Sequence, residues 1–190
     1  LKMATNQNIL ILNQQTVTSF IENNNEVEVV LGDFSFQTKK LFFATNGFAN
    51  KLTNGEVKPA RAQVLITKPI PNLDIKGTFH LDRGYYYFRN FEDRILLGGG
   101  RNLDFDGETT TELAQTEIIQ NKLEQLLKEV ILPNQSFEIE HRWSGIMGVG
   151  NHKNPVVKQL SENVFCGVRL GGMGVAIGSL IGKELADLID

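Results

Sequence analysis

A glycine-rich stretch near the end of the chain has the residue types and the spacing of a ligand-binding turn. An apolar run at residues 164–168 leads into Gly171, Gly172 and Gly174, and apolar residues then recur at helical spacing as far as Ile189. A strand, a glycine turn and a helix in this order point the first N–H groups of the helix at an electron-rich ligand. Glycine suits the turn because a Cβ would hold the ligand away from the backbone. A glycine turn that binds no ligand is the alternative.

The same stretch lacks the fingerprint of a Rossmann dinucleotide site. The motif G-x-G-x-x-G needs a third glycine where Ile177 stands, and no second strand follows the turn in the sequence. A pyrophosphate is held by a turn that opens a βαβ unit. We therefore expect this turn to contact another part of a cofactor.

Other residue types that carry chemistry show no catalytic or metal-binding spacing. His80, His141 and His152 are far apart in the sequence and are interpreted as surface or packing residues. Cys166 is the only cysteine, which excludes an internal disulfide and a cysteine metal site, and its apolar surroundings favour burial. No G-x-S-x-G elbow and no P-loop occurs. This absence of a strong protein nucleophile suits chemistry that a bound cofactor performs.

Composition and charge restrict the class of protein. The chain has 190 residues, 41% of them hydrophobic, which is enough for one sizeable core or two small ones. The net charge is −3 and no dense Lys/Arg run occurs, so nucleic-acid binding is not expected. No apolar run approaches the roughly 20 residues of a membrane span. We expect a cytoplasmic setting and no metal, and the initial Leu1 predicts a piece of a longer polypeptide.

The elements that must position the glycine turn begin with strands. Near alternation of apolar residues predicts strands at residues 8–12, 16–22, 26–31 and 33–37, the last three forming a β-meander. A strand is also expected at residues 39–44, whose last four residues are consecutively apolar, as is typical of a buried parallel strand. A turn at residues 45–47 follows the carboxyl end of this strand, where nucleotides bind in open α/β sheets.

Later patterns predict a largely antiparallel sheet with one helix packed on it. Strands are expected at residues 59–68, 84–89, 94–97 and 137–143. Thr109 and Glu112 fit a capping box at the start of a helix that Pro133 closes. In the strand at 84–89, Tyr86 and Phe88 share one face because alternate side chains of a strand point the same way.

These patterns together predict a mixed α+β fold. Residues 1–50 are expected to form the C-terminal part of a nucleotide-binding α/β domain, with the meander and the parallel strand. Residues 51–162 are expected to form a second block, an antiparallel sheet with one helix against it. Residues 163–190, a strand, the glycine turn and a helix, are expected to return to the first domain, which argues against two independent units.

Four passages in this order resemble the C-terminal half of flavin-dependent oxidoreductases of the D-amino-acid oxidase, glycine oxidase and sarcosine oxidase family. They are Leu41-Phe-Phe-Ala-Thr-Asn-Gly, Pro59-Ala-Arg-Ala-Gln63, Arg94-Ile-Leu-Leu-Gly-Gly, and Arg142-Trp-Ser-Gly-Ile followed by residues 164–190. The resemblance implies noncovalent FAD as cofactor, and oxidation of a C–N bond of a small amine or amino acid by hydride transfer. It also implies that the chain is inactive alone and associates with the polypeptide preceding Leu1, where the family carries its G-x-G-x-x-G.

The resemblance also implies that residues 51–162 are the substrate-binding domain, and it implies roles for individual residues. Val17 resembles the strand residue whose backbone meets the adenine, and Tyr86 resembles a tyrosine that contacts substrate. Two turns correspond to cofactor-binding turns, and both are expected to lie along FAD. The turn along the ADP moiety is Ala44, Thr45 and Gly47; the turn facing the pyrimidine edge of the isoalloxazine is Arg169, Leu170, Gly171, Gly172, Met173 and Gly174.

Two departures from the family pattern concern the substrate. The arginine that clamps a substrate carboxylate in amino-acid oxidases is Met147 here. Arg169 stands where the family usually has glycine, so we expect its guanidinium to bind an anion, either the substrate carboxylate or the reduced flavin. An ion pair of Arg169 with Glu138 or Glu140 is the alternative.

Two further functions fit the sequence. A non-enzymatic α+β binding or assembly module would keep the fold without a cofactor. A flavin oxidase acting on a modified nucleoside in RNA is the third, and the acidic balance disfavours it.

Overall fold

Three β-sheets and three α-helices make up the part of the chain that the computed structural model describes, residues 2–189. Leu1 and Asp190, the outer bounds of the expected domains, lie outside it. The strands, β1 to β11, are Ser19–Asn23, Glu26–Leu31, Phe34–Thr38, Leu41–Phe43, Lys58–Thr67, Thr78–Leu81, Tyr86–Phe91, Arg94–Gly99, Ile139–Val149, Val156–Ser161 and Val164–Val168. The helices, α1 to α3, are Lys2–Asn6, Glu117–Leu126 and Gly174–Ala186. The expected mixed α+β fold is confirmed.

Strands β1, β2 and β3 form the predicted antiparallel meander. Gly32, at φ +61°, makes the turn between β2 and β3, a conformation that favours glycine. Val27 and Val29 of β2 are buried against Val164 of β11. The meander therefore packs on the sheet that leads into the glycine turn.

The second sheet has the strand order β10-β11-β4, and β11 runs parallel to β4, as the pattern at residues 39–44 predicts. The expected burial of β4 is wrong, because Phe42 is 37% exposed. All five residues of β11 are buried. A Cβ on Gly167 would lie 3.0 Å from Leu185 and 3.3 Å from Ile181, so helix α3 packs directly on this strand. The domain division at residue 162 stays a prediction; β10, just before it, hydrogen-bonds to β11.

The third sheet is antiparallel, with the order β6-β7-β8-β5-β9. One face is covered by α2, whose Ile119 and Leu123 pack on Leu65 and Leu97. Full burial of each such side chain stabilises the fold by about 1.5–3 kcal/mol. This α-helix supports the strands from one side, and no α-helix of residues 2–189 packs on the opposite face.

The expected start of α2 is wrong. The helix begins at Glu117, and the Thr109 hydroxyl donates to the Phe105 carbonyl oxygen at 2.7 Å instead of capping a helix. Thr116 occupies the N-cap position, but its N–H donates to Gln63 Oε1 at 3.0 Å, which ties the helix start to β5. Leu113, expected in the apolar stripe, is 69% exposed.

Two other strand predictions need correction. Residues 8–12 form no strand, and Leu10 is 82% exposed, because no strand of the described chain lies beside it to pair with. Strand β6, at Thr78–Leu81, was not predicted, and it is an edge strand held by pairing with β7.

Candidate functional site

The glycine turn meets two other segments, at residues 45–48 after β4 and at 146–150 at the end of β9. The Leu170 N–H donates to Asn46 Oδ1 at 3.0 Å. The Gly171 N–H donates to the Gly148 carbonyl oxygen at 2.9 Å. These three segments, 45–48, 146–150 and 169–174, are called the three-turn junction below.

Two glycines permit the close approach of these segments. A Cβ on Gly47 would lie 2.6 Å from the Met147 carbonyl oxygen, and a Cβ on Gly148 would lie 2.5 Å from Asn46 Oδ1. Both distances are shorter than van der Waals contact. The contact of Gly47 is with backbone and requires glycine, whereas a Cβ on Gly148 would first displace the Asn46 side chain. Gly47, expected to lie along the ADP moiety, is therefore buried in the junction, whereas Ala44 and Thr45 beside it are exposed. Their contacts with FAD stay predictions.

The N-terminus of α3 is open. Gly171 at φ +57° and Arg169 at φ +63° turn the chain from β11 into the helix. Within residues 2–189, the N–H groups of Gly172, Gly174 and Val175 donate no hydrogen bond. The Val175 side chain is fully exposed. The turn therefore carries free donors at a helix end that no described residue covers.

Met147 lies against this turn. Its Sδ is 3.9 Å from the position of a Cβ on Gly172. On β9, Trp143 and Gly145 face the same side as Met147 because they are four and two residues away, respectively, along one strand. Trp143 is 41% exposed, and nothing lies within 4 Å of a Cβ on Gly145. We call this helix-free side of the five-stranded sheet the open face.

Tyr86 and Tyr87, the first two residues of β7, lie on opposite faces of the sheet. Tyr86, the expected substrate contact, is 3% exposed and packs in the core under α2, where burial raises the pKa of its phenol. Tyr87 is linked to the open face through the direct cross-strand pairs Tyr87–Gly98, Gly98–Val64 and Val64–Trp143. Burial also raises the pKa of Tyr87. Sequence reasoning missed Tyr87, because only strand pairing shows which face α2 covers.

Arg169 is 7% exposed, and protein oxygens surround its guanidinium. Its Nε donates to the Asn154 carbonyl oxygen at 2.8 Å, and its Nη1 donates to the Glu56 carbonyl oxygen at 3.4 Å. The Glu56 carboxylate lies 3.7 Å from Nη1. A hydrogen bond from Lys158, with the charges of Lys158 and Arg169, lowers the pKa of Glu56.

The acidic partner of Arg169 is therefore Glu56, not Glu138 or Glu140. Glu138 pairs with Lys68, which follows β5, and Glu140 pairs with Arg94 of β8. The anion-binding role expected for Arg169 stays a prediction. Val17, expected at the adenine, precedes β1 and is 45% exposed.

A buried polar network lies behind the open face. Arg61 of β5 and Glu108 have side chains 6% and 1% exposed and form an ion pair at 2.7 Å. The hydrogen bond to Glu108 raises the pKa of Arg61. Gln63 Nε2 also donates to Glu108, at 2.9 Å. Two polar residues at alternate positions of an otherwise apolar strand were the sequence signal for this network.

The remaining candidate residues show no catalytic grouping. Cys166 is fully buried, and desolvation raises the pKa of its thiol. No group of three or more His, Cys, Asp or Glu side chains suited to a metal ion occurs among the described residues. Every helix between residues 2 and 189 is too short or too polar to cross a bilayer.

Comparison with known proteins gives related chains of about twice the length. Probable oxidoreductase OrdL of Haemophilus influenzae is 18% identical over 195 residues, which are 99% of this chain and 44% of that protein. The solved structure of iminodiacetate oxidase from Chelativorans sp. superposes with a TM-score of 0.79 at 18% identity, covering 98% of this chain and 52% of that one. L-proline dehydrogenase from P. horikoshii gives a TM-score of 0.74 at 21% identity, covering 94% and 50%.

Glycine oxidase from Bacillus cereus has the same fold, with a TM-score of 0.74 at 16% identity, covering 93% of this chain and 49% of that one. The family model described as "FAD dependent oxidoreductase" (DAO) matches residues 1–188. Because this match spans nearly the whole chain, the chain belongs to the DAO family of FAD dependent oxidoreductases, as the resemblance of its motifs predicts.

Proposed function

We propose that the protein oxidises a C–N bond of a small amine or amino acid, for which noncovalent FAD supplies the hydride acceptor. The observation that carries this proposal is the position of the Met147 side chain beside the glycine turn, with its Sδ 3.9 Å from the position of a Cβ on Gly172. It brings free N–H donors at the start of α3 next to the open face of the sheet. A cofactor on the turn and a substrate on the open face would then be neighbours.

The glycine turn fits the electron-rich edge of a flavin ring. The N–H groups of Gly172, Gly174 and Val175 donate to no other group in the described chain. A Cβ on Gly171 would meet nothing within 4 Å, so the space in front of the turn is open. Helix α3 has 13 residues, and its dipole favours a nearby negative charge by about 0.3–1 kcal/mol. Residues 169–174 would hold the ring and residues 44–47 would lie along the ADP moiety.

The open face would bind the substrate mainly by apolar contacts. Trp143 and Met147 offer an aromatic and a thioether surface, and the absence of a side chain at Gly145 leaves room between them. The phenol of Tyr87, whose pKa is raised, stays protonated at neutral pH and can donate a hydrogen bond. With methionine at position 147, a substrate carboxylate needs another cation.

Arg169 is the proposed source of that cation, through Nη2. Its Nε and Nη1 are occupied by Asn154 and Glu56, and Nη2 donates no hydrogen bond within residues 2–189. The same contacts tether the first residue of the glycine turn. Arg169 would thus hold the turn with one side of its guanidinium and attract an anion with the other.

Absorption spectroscopy of the intact protein tests the proposed function. We expect flavin bands in the purified protein, and acid precipitation should release all of the flavin because attachment is noncovalent. Under anaerobic conditions, small amines and amino acids are then added one by one. Bleaching of the flavin bands by one of them identifies the substrate class.

A protein that neither contains FAD nor binds added FAD would contradict the proposal. That result would favour the alternative, a non-enzymatic α+β binding or assembly module. Flavin bands that only a modified nucleoside in RNA bleaches would keep the cofactor and reject the amine substrate.

A further inference from the structure

We propose that Asn46 is a positioning residue that fixes the glycine turn against strand β9, so that the cofactor-side turn and the substrate-side strand form one unit. The effect on FAD rests on the proposed function. The contact itself is a property of the three-turn junction.

One amide oxygen of Asn46 touches both partners. Asn46 Oδ1 accepts the Leu170 N–H at 3.0 Å. The same oxygen would lie 2.5 Å from a Cβ on Gly148, so it lies directly on the backbone of β9. The bond from the Gly171 N–H to the Gly148 carbonyl oxygen, at 2.9 Å, closes the link between turn and strand.

The backbone conformation of Asn46 narrows the residue types that can do this. Its φ is +47°, in the left-handed region where asparagine and aspartate are the usual non-glycine residues. Glycine would adopt this conformation without strain but would supply no acceptor. Asparagine therefore combines the φ that the turn after β4 needs with the oxygen that the Leu170 N–H needs.

Loss of the acceptor Asn46 Oδ1 would affect both the glycine turn and the end of β9. The Leu170 N–H would lose its partner at a half-buried position, which carries a cost unless water reaches it. The first turn of α3 would then be held to β9 by the single bond between Gly171 and Gly148. We expect the free donors of the turn to shift relative to Met147.

The test compares three variants of the intact protein. Asn46→Gly removes the acceptor without adding strain, and Asn46→Asp keeps an acceptor in the same conformation. Asn54→Gly is the matched control, because Asn54 has a similar φ of +50° but its side chain makes no hydrogen bond among the described residues. If Asn46→Gly does not fold, Gly148→Ala replaces it, since the added Cβ displaces the same oxygen.

Amide hydrogen exchange without FAD is the first measurement. In Asn46→Gly, the amides of Leu170 and Gly171 and those at residues 146–149 should exchange faster, by roughly five- to thirtyfold, the scale of one lost hydrogen bond. Asn46→Asp and Asn54→Gly should keep wild-type exchange in both segments. Unchanged exchange in Asn46→Gly would overturn the proposal whether or not the protein binds FAD.

Titration of the apoprotein with FAD, followed by flavin fluorescence, is the second measurement. Asn46→Gly should bind FAD more weakly by about the same factor, and Asn54→Gly should not differ from wild type. Asn46→Asp is compared by hydrogen exchange alone, because its negative charge would repel the diphosphate that we propose beside residues 44–47. Faster exchange with unchanged FAD affinity would make Asn46 a residue of the fold alone and overturn its positioning role. If wild-type protein binds no FAD, the proposed function fails, and exchange alone decides whether Asn46 couples turn and strand.

Discussion

Arg61 binds the carboxylate of Glu108 through two parallel hydrogen bonds, 3.0 Å from Nε to Oε2 and 2.7 Å from Nη2 to Oε1. Arg61 points away from the open face, whereas Ala60 and Ala62, its neighbours on β5, point toward it. The pair thus fixes from behind the strand that lies next to β9. It also holds the loop of residues 104–116 on the sheet.

Glu108→Gln should destabilise the intact protein by about 3–5 kcal/mol, because it leaves the Arg61 guanidinium buried without a counter-charge. The free energy of unfolding in urea measures this effect. Glu138→Gln is the control, since Glu138 forms an exposed ion pair with Lys68 and should change stability little. An equal loss of unfolding free energy in the two variants would show that the buried ion pair stabilises the protein no more than the exposed one.

Gly47→Ala should destabilise the protein by about 1–3 kcal/mol, because its Cβ would meet the Met147 carbonyl oxygen at 2.6 Å. Gly145→Ala is the matched change, and it should leave the free energy of unfolding unchanged because nothing lies within 4 Å of its Cβ. Thermal and urea unfolding of both variants check this. Since Gly145 lies on the open face, its added methyl group should instead alter KM for the substrate.

Substitution of Tyr87, but not of Tyr86, should impair the reaction with substrate. Tyr86→Phe should change the free energy of unfolding by no more than about 1.5 kcal/mol, because the ring stays packed under α2 and only the buried hydroxyl is lost, and should leave kinetics intact. Tyr87→Phe should lower kcat/KM by about fivefold with little change in stability. Lost activity in Tyr86→Phe alone would restore Tyr86 as the substrate contact.

Arg169→Lys should weaken substrate binding by about 1–3 kcal/mol if the Arg169 guanidinium binds a substrate carboxylate, because lysine keeps the charge and loses the planar fork. FAD content should change little. Steady-state kinetics with the substrate and with its decarboxylated analogue check this. The analogue has no carboxylate, so its kinetics should be the same in wild type and in Arg169→Lys. Unchanged kinetics in Arg169→Ala would leave Arg169 with its tether to Asn154 and Glu56 alone.

The ion pair of Glu56 with Lys158 should make the free energy of unfolding depend on pH under acidic conditions. The pKa of Glu56 is lowered in the folded protein from its ordinary 4.5, so its stabilising contribution is present above 4.5 and is lost as pH falls through the lowered value. Glu56→Gln should therefore be less stable than wild type at neutral pH. The two should converge well below pH 4.5, as measured by urea unfolding across this range. A constant difference at all pH values would exclude titration of Glu56 as its origin.

Local signals in the sequence determined the elements on each side of the glycine turn. The apolar run at residues 164–168 is strand β11, and the helical spacing that follows is α3. The alternation at residues 26–31 is strand β2. These elements could be predicted because neighbouring residues set the period of a strand or a helix, and glycine sets the turn between them.

Tertiary contacts determined the structure at the positions where the local sequence pattern gave a wrong or incomplete prediction. Thr109 and Glu112 carry a helix-start pattern, yet the buried pair of Arg61 with Glu108 holds this segment on the sheet, and α2 starts only at Glu117. The order of strands decided that Tyr86 lies under α2 and Tyr87 lies on the open face. A strand pattern gives two faces, but not which of them a helix covers.

The site itself depends on contacts between distant parts of the chain. The residue pattern pointed to the glycine turn, and the comparison with the family pattern pointed to Met147 and Arg169. The partner of Arg169, Glu56, is 113 residues away along the chain, and the partner of Leu170, Asn46, is 124 residues away. Periodicity and motif spacing act over a few residues, so they carry no information on such pairs. Only the packing of three sheets brings these residues within hydrogen-bonding distance.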